Sequence, residues 1–149
     1  MEPLFEKYPA IQKGSVISAV DLINGIGHYA GLRRIAVEGA TGLYNTNYEN
    51  KVAAALEALK TDDFVYLHIE ASDEAGHEGD FKLKQFTIEN LDKRAVGPIY
   101  EAVKDWDEPV AHRRASGSSY ALRTPYPYGR TCAFPYLLSR YRTGLCADL

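Results

Sequence analysis

Short apolar segments alternate with segments of helical periodicity, and this alternation constrains the fold more than any other feature of the chain. The apolar segments cover residues 14–20, 34–38 and 64–71. Apolar residues recur at helical spacing over 22–31, 48–60 and 81–103. Strands and helices that alternate with short connections require a parallel sheet with helices packed on its faces. We therefore predict an α/β fold with a partial parallel sheet flanked by helices.

Three local signals refine this prediction. Asp21 directly precedes an apolar periodic segment and is a suitable helix N-cap. The Gly97-Pro98 pair predicts a bend within the long helix over 81–103. Pro109-Val110-Ala111 predicts the start of a fourth strand.

A carboxylate and an imidazole follow the strand predicted at 64–71. Asp73 and His77 lie four residues apart in a segment predicted as a turn, with Gly76 and Gly79 beside them. Side chains after a strand face the crevice where α/β sheets bind ligands. Asp oxygen with His nitrogen suits Zn²⁺ or Mn²⁺, and glycines let a backbone fold closely around an ion. Asp73 and His77 are therefore candidate metal ligands, against the alternative of a polar turn that caps the next helix.

Other polar residues favour structural roles. His68 lies inside an apolar strand, which favours a core histidine with a satisfied ring nitrogen. His28 follows two glycines that lack the third glycine of a dinucleotide fingerprint, so close packing is the preferred interpretation. The segment 44–48 could bind a polar substrate through its amides, but a turn and a helix cap explain it as well. The Arg113-Arg114 pair resembles a phosphate clamp, although a solvated pair is the simpler interpretation.

Composition indicates a globular domain. The chain has 149 residues, 46% of them hydrophobic and 25% charged, which is enough for one domain with a core. It has no apolar run of membrane-spanning length and no signal-peptide pattern. The two cysteines, Cys132 and Cys146, are too few for a disulfide framework, and their spacing is not that of zinc ligands. A net charge of −3 argues against a general nucleic-acid binder. We expect a cytoplasmic protein with no membrane or nucleic-acid partner.

The charge distribution divides the chain after residue 111. Residues 1–111 contain all eight lysines, three arginines and 19 of the 20 acidic residues. Residues 112–149 contain six arginines, no lysine, no glutamate and one aspartate. This second segment has no helical or strand period and predicts disorder. We therefore predict an α/β core over 1–111 and a disordered, Arg/Tyr-rich tail over 112–149.

Three motifs together resemble a known family. Residues 16–27 read VISAVDLINGIG, residues 37–48 include VEGATG and NTNY, and residues 70–80 read EASDEAGHEGD. Motifs similar to these occur in the same order in archaeal-type 2,3-bisphosphoglycerate-independent phosphoglycerate mutases of the alkaline phosphatase superfamily. The resemblance extends from about Phe5 to Ala111. It corresponds to a stretch in the latter part of the family's sequence.

The resemblance implies an alkaline phosphatase-like fold and a metal-dependent mechanism. Family members use two divalent cations, manganese or zinc with magnesium as an alternative, to activate a serine that transfers the phosphoryl group between hydroxyls of glycerate. By position, Asp73 and His77 match a pair that binds one of the metals. The family's nucleophilic serine lies upstream of the matched stretch, so no catalytic residue is assigned here. We expect this chain to begin inside the family's sequence, with residues 1–111 as a fragment of the family's metalloenzyme α/β core.

The tail departs from the family where further ligands are expected. The family has a Leu-Pro-Asp-His-Pro motif there, and this chain has Ala115-Ser-Gly-Ser-Ser. A one-base shift of the reading frame from His112 permits Ile-Ala-Val-Leu-Pro-Asp-His-Pro-Thr, which restores the motif. The hypothesis is that residues 112–149 are an out-of-frame reading of the family's C-terminus. The nucleotide sequence across this segment tests it.

The function expected by resemblance is interconversion of 2-phosphoglycerate and 3-phosphoglycerate in glycolysis, by metal-assisted phosphoryl transfer. The chain alone is expected to be inactive, because the nucleophile and several ligands are missing. Two alternatives remain. One is a metal- or phosphate-binding module of a split enzyme. The other is a phosphotransferase that acts on another small alcohol. The sequence does not predict the oligomeric state.

Overall fold

A five-stranded mixed sheet organises the molecule. The computed structural model describes residues 3–107, 110–114 and 134–140. Its elements in chain order are α1 (Leu4–Lys7), β1 (Gly14–Ile17), α2 (Asp21–Tyr29), β2 (Arg33–Arg34), α3 (Tyr48–Leu59), β3 (Phe64–Ile69), α4 (Ala71–His77), α5 (Phe81–Leu91), a π-helical segment (Asp92–Val96), α6 (Gly97–Val103), β4 (Val110–Arg114) and β5 (Phe134–Arg140). The strand order is β2-β1-β3-β5-β4.

Three strands of the sheet are parallel. Strand β1 pairs with β2 on one side and with β3 on the other, with Gly14 opposite Phe64 and Ile17 opposite Leu67. Strand β5 pairs antiparallel with both β3 and β4. The predicted α/β class, a partial parallel sheet flanked by helices, is confirmed.

The core lies between the sheet and the helices that follow its strands. Every residue of β1 is buried, and β3 buries Val65, Leu67 and Ile69 almost completely. Helix α3 contributes Leu59, and α6 contributes Ile99, to the same cluster. Strands of a parallel sheet are covered on both faces, so they are near-continuous apolar runs. This explains why the sequence signal for β1 and β3 was clear.

Several boundaries differ from the sequence predictions. Helix α2 begins at Asp21 itself, with Val20 as its N-cap and no side-chain cap hydrogen bond, so the predicted Asp21 cap was wrong. The segment predicted as a turn around Asp73 is helix α4, because Ala71 and Ala75 are one turn apart and both are buried. The long helix over 81–103 changes to π-helical geometry at Asp92–Val96, just before Gly97-Pro98.

Two strands include residues of the segment for which the sequence showed no strand period. The fourth strand predicted at 109 is β4, and it continues to Arg114. Strand β5 at Phe134–Arg140 satisfies the backbone groups along an edge of β3 that would otherwise be open. Residues 115–133 and 141–149 lie outside the described residues. The division after residue 111, the disorder of the tail and the frame shift therefore stay predictions.

In the part of the chain that the structure describes, no helix is long and apolar enough to cross a membrane.

Candidate metal site

Asp73 and His77 lie on one face of helix α4, just after the carboxyl end of β3. Glu70 is the single residue between β3 and α4, so the strand position determines where the helix begins. Ala71, Ser72 and Ala75 are buried, which leaves Asp73 and His77 on the accessible side. Residues four apart on a helix are neighbours on its surface. The fold therefore brings together the two residues that the sequence predicted as a pair.

The distance between the two side chains suits a shared ion. His77 Nε2 lies 3.3 Å from Asp73 Oδ2, with the His77 side chain 42% exposed and that of Asp73 13% exposed. Ligands about 2.0–2.2 Å from a tetrahedral ion stand roughly 3.3–3.6 Å from each other. A carboxylate oxygen with an imidazole nitrogen is also the donor set that zinc and manganese accept. Both distance and chemistry fit a divalent transition metal.

The described residues contain no group of three or more histidine, cysteine, aspartate or glutamate side chains arranged to hold a metal. A tetrahedral site needs more donors than Asp73 and His77 supply. Within residues 3–107, 110–114 and 134–140, the pair by itself would not complete such a site.

Lys51 is a buried cation behind this site. It is 1% exposed, and its ammonium Nζ donates to the Thr41 carbonyl at 3.2 Å and to the His68 carbonyl at 3.4 Å. Burial lowers the pKa of Lys51 to about 8, and the nearby Glu70 carboxylate opposes that shift. The ammonium joins the loop that contains Thr41 to the end of β3. It therefore positions the loop against the strand that leads into α4.

Glu70 adds a carboxyl group at the same end of β3. Its pKa is raised, first by burial and then by the Glu74 and Asp73 carboxylates, while Lys51 and His77 oppose the shift. A Cβ atom at Gly42 would lie 3.1 Å from Glu70 Oε2. The glycine thus lets the loop approach this carboxyl group closely.

His68 has a structural role, in agreement with the sequence interpretation. Its Nδ1 lies 3.2 Å from Ser18 Oγ at the end of the neighbouring strand β1. Burial, followed by the Lys51 charge, lowers the pKa of His68 to about 4, although Asp73 opposes the shift. The imidazole is consequently neutral at pH 7. The contact joins the carboxyl ends of the two central strands.

Ser18 also receives the Val20 backbone N–H at 3.0 Å, and its carbonyl accepts from Asn24 Nδ2 at 3.2 Å. Asn24 Oδ1 is buried and has no hydrogen-bond partner among the described residues. These bonds determine how α2 leaves the carboxyl end of β1.

The remaining sequence candidates do not join the site. His28 makes an edge contact with the Tyr29 ring on α2. The segment 44–48 is a turn followed by a helix cap, since Asn47 Oδ1 accepts the Asn50 N–H at 2.9 Å. Arg113 and Arg114 lie in β4, and their side chains are outside the described residues.

Sequence reasoning missed Lys51 and Glu70. Lys51 lies four residues before Ala55 and eight before Leu59, so it falls on the buried stripe of α3. A lysine on an apolar stripe was the available signal. Glu70 was part of a quoted motif, but nothing in the sequence alone distinguishes it from a solvated residue.

The α/β fold and the sequence of its central part place the chain in a known class of proteins. The chain belongs to the metalloenzyme superfamily, whose family model matches residues 11–110. Within it, the chain is similar to the 2,3-bisphosphoglycerate-independent phosphoglycerate mutase of Methanosarcina mazei. The two are 59% identical over 98 residues, which cover 66% of this chain and 25% of that protein.

Two further similarities support the same family. A protein of Methanothermobacter thermautotrophicus, 2,3-bisphosphoglycerate-independent phosphoglycerate mutase 2, is 43% identical over 127 residues, or 85% of this chain and 31% of its own length. The solved structure of the PH0037 protein from Pyrococcus horikoshii matches with a TM-score of 0.69 and 30% identity. That match covers 99% of this chain and 37% of the other. The predicted resemblance is confirmed, and the chain spans about a fifth to a third of the length of the curated relatives it matches.

Proposed function

We propose that this chain supplies part of the metal centre of a 2,3-bisphosphoglycerate-independent phosphoglycerate mutase. The observation that carries the proposal is the Asp73–His77 pair, 3.3 Å apart on the accessible face of α4. The pair lies at the carboxyl end of a parallel strand, where α/β proteins bind ligands. Relatives named as 2,3-bisphosphoglycerate-independent phosphoglycerate mutases support the reaction.

A divalent cation would be bound by Asp73 Oδ2 and His77 Nε2 together with donors from elsewhere in the fold. Mn²⁺ and Zn²⁺ suit this pair, and Mg²⁺ suits the carboxylate. When bound, such an ion neutralises charge on a transferring phosphoryl group and favours deprotonation of a coordinated hydroxyl. The proposed substrates are 2-phosphoglycerate and 3-phosphoglycerate.

The chain's own residues would keep the metal-binding pair in place. Ala71 and Ala75 anchor α4 against the core, which fixes the orientation of Asp73 and His77. Lys51 ties the loop at Thr41 to the end of β3, and this limits movement of the strand from which α4 starts. Rigid support of this kind raises the precision of a metal site.

The chain alone is proposed to be catalytically inactive. The serine nucleophile implied by the resemblance has no counterpart in the matched stretch. The coverage of the relatives also supports a second candidate, a metal-binding module of a split enzyme. A third candidate is a phosphotransferase that acts on another small alcohol. It would use the same Asp73–His77 pair and would differ from the mutase only in acceptor contacts outside the matched stretch.

Calorimetric titration with Mn²⁺ tests the metal-binding proposal. We expect weak, saturable binding to the wild-type chain. Asp73→Ala and His77→Ala should each remove it, because one remaining donor does not hold an ion against water. Asp105→Ala and His28→Ala are matched controls, since they make the same changes at other helical or exposed positions, and should bind as the wild type does.

The variants separate metal binding by the Asp73–His77 pair from nonspecific charge effects and from loss of fold. Binding that survives both Asp73→Ala and His77→Ala would reject the pair as the ligands. Equal loss in the Asp105→Ala control would point to a nonspecific effect of charge. Circular dichroism of each variant, recorded before titration, separates loss of ligands from loss of fold.

A further inference from the structure

A lysine and a glycine on two neighbouring helices are each unfavourable at their positions. Lys84 is only 5% exposed, and it lies on the buried side of α5 together with Thr87 and Leu91. A buried ammonium loses its hydration, which costs free energy unless polar groups replace the water. Gly76 lies inside α4, where glycine is less favourable than alanine because it loses more conformational freedom on folding. Two such costs beside the Asp73–His77 pair require an explanation.

Gly76 and Lys84 fit each other. A Cβ atom at Gly76 would lie 2.9 Å from Lys84 Nζ, and 3.8 and 3.9 Å from the Cδ and Cε atoms of the same lysine. The missing side chain of Gly76 therefore makes room for the end of Lys84 on the flank of α4. The turn between the two helices holds α5 in place for this contact. Gly79 takes a left-handed φ of +72° there, and Asp80 Oδ1 accepts the Leu83 N–H at 3.0 Å at the start of α5.

The contact lies between the two candidate metal ligands. Gly76 is three residues after Asp73 and one before His77, and residues three apart are neighbours on a helix surface. Helix α4 has only seven residues, and its buried alanines pack its inner side against the core. Lys84 contacts a different side, near the C-terminal end of α4. Contacts on two sides prevent a short helix from rotating about its axis, and that rotation determines where Asp73 and His77 point.

We propose that Lys84 is a positioning residue for the metal-binding pair: its ammonium, packed against Gly76, fixes the rotation of α4 that directs Asp73 and His77 toward one ion. This inference rests on the proposed function for the role of the pair. Ligands of a metal site must be held within about 0.5 Å of their productive positions. Loss of a group that supports the ligands commonly weakens metal affinity about 10–100-fold. Lys84 should therefore affect metal binding without contacting the metal.

Three variants of the 149-residue chain separate positioning from stability. Gly76→Ala should displace the ammonium and weaken Mn²⁺ binding about tenfold in calorimetric titration. Its Tm should nevertheless stay the same or rise, because alanine favours a helix more than glycine does. Lys84→Met should weaken Mn²⁺ binding to a similar extent. The double variant Gly76→Ala/Lys84→Met should bind no more weakly than Lys84→Met alone. Methionine is one atom shorter than lysine, and the lysine atoms before Nζ lie at 3.8 and 3.9 Å, which is ordinary contact.

Two matched controls should bind Mn²⁺ as the wild type does. Lys82→Met makes the same change at an exposed position of α5. Gly25→Ala makes the same change in α2, where a Cβ atom would meet nothing within 4 Å among the described residues. Unchanged Mn²⁺ affinity of Lys84→Met would overturn the proposal, and so would additive losses in the double variant, because residues that act through one contact are not additive.

Amide hydrogen exchange of the metal-free proteins gives a readout that does not depend on the ion. Lys84→Met should speed exchange in α4 about tenfold relative to Lys82→Met, because a helix with one contact fewer opens more often. Unchanged exchange would overturn the contact itself. Faster exchange with unchanged Mn²⁺ affinity would reduce the contact to a purely structural one and overturn the positioning role. A wild-type chain that binds no Mn²⁺ would instead overturn the proposed function, and the positioning role with it, so the two failures are distinguishable.

Discussion

Lys51 shows how a single residue can combine an energetic cost with a positioning role. A buried ammonium loses its hydration, and carbonyl oxygens with a nearby carboxylate offset the loss only in part. The pKa of about 8 reflects this balance. In exchange for this cost, the Lys51 ammonium connects the Thr41 loop to β3 through hydrogen bonds that no apolar side chain could make.

Lys51 predicts a specific dependence of stability on pH. Its pKa is about 8 when folded and 10.5 in its ordinary state, so the unfolded chain binds more protons between these values. Stability due to this group therefore rises with pH across that window. Between pH 8 and 9.5, we expect the free energy of unfolding of the wild type to increase relative to that of Lys51→Met. Urea denaturation of both proteins measures this difference. The upper limit stays below pH 10, where the buried Tyr48 and the half-buried Tyr66, whose pKa values are raised by burial, begin to lower stability as the pH rises. A constant difference between the two proteins would contradict this prediction.

The residues of the candidate site were predictable to different degrees. The sequence indicated that Asp73 and His77 would be neighbours after a buried strand, and the structure places them 3.3 Å apart; their role as metal ligands stays a prediction. Lys51 was not predicted, because a lysine among the buried apolar residues of α3 resembles an ordinary solvated side chain in the sequence. Glu70 acquires its raised pKa from burial and from carboxylates brought near it by the fold. This pKa shift depends on the tertiary structure, so the sequence alone does not indicate it.

At the scale of elements, helices with a clear apolar stripe were predicted well. The predicted helix over 48–60 corresponds to α3 at Tyr48–Leu59. Helix α4 was missed because seven residues are too few for a full amphipathic pattern, and its glycine suggested a turn. Helix α2 was predicted, but the exposure of its Leu22, Ile26 and Tyr29 side chains was not. Periodicity indicates an apolar face and not the side on which the core lies.

Two glycines of α2 give a matched test of packing. Gly27→Ala would place a Cβ atom 2.6 Å from the Val16 side chain, and overpacking of this kind costs roughly 1–3 kcal/mol. Gly25→Ala meets nothing within 4 Å and should gain about 0.5–1 kcal/mol from helix propensity. Thermal unfolding of both variants measures the contrast. If Gly27→Ala is as stable as Gly25→Ala, the close contact between α2 and β1 is wrong.

At the scale of the whole molecule, the chain corresponds to part of the length of its relatives. The family model covers residues 11–110, and the parallel part of the sheet, β2-β1-β3, lies inside that range. The α/β class was predictable because it follows from alternating elements. The antiparallel pairing of β5 with β3 was not, because pairing partners distant in sequence leave no periodic signal.

Because the resemblance places the family's serine nucleophile upstream of the matched stretch, we predict that the 149-residue chain does not convert 3-phosphoglycerate to 2-phosphoglycerate. Phosphorus NMR of the substrate with Mn²⁺ present would measure this, and the M. mazei relative serves as the positive control. The expected result is no product above the rate without protein. Turnover that Asp73→Ala abolishes would show that the chain is sufficient for catalysis and would contradict the prediction.

The central claim is that Asp73 and His77 share one metal ion, and nuclear magnetic resonance of labelled protein during Mn²⁺ addition tests it most directly. The paramagnetic ion broadens signals of nearby nuclei. We predict that the ring signals of His77 and the backbone amide of Asp73 broaden at lower Mn²⁺ concentrations than the ring signals of His28, and that Asp73→Ala removes this selectivity. Broadening centred on another part of the chain, or equal for His77 and His28, would contradict the claim.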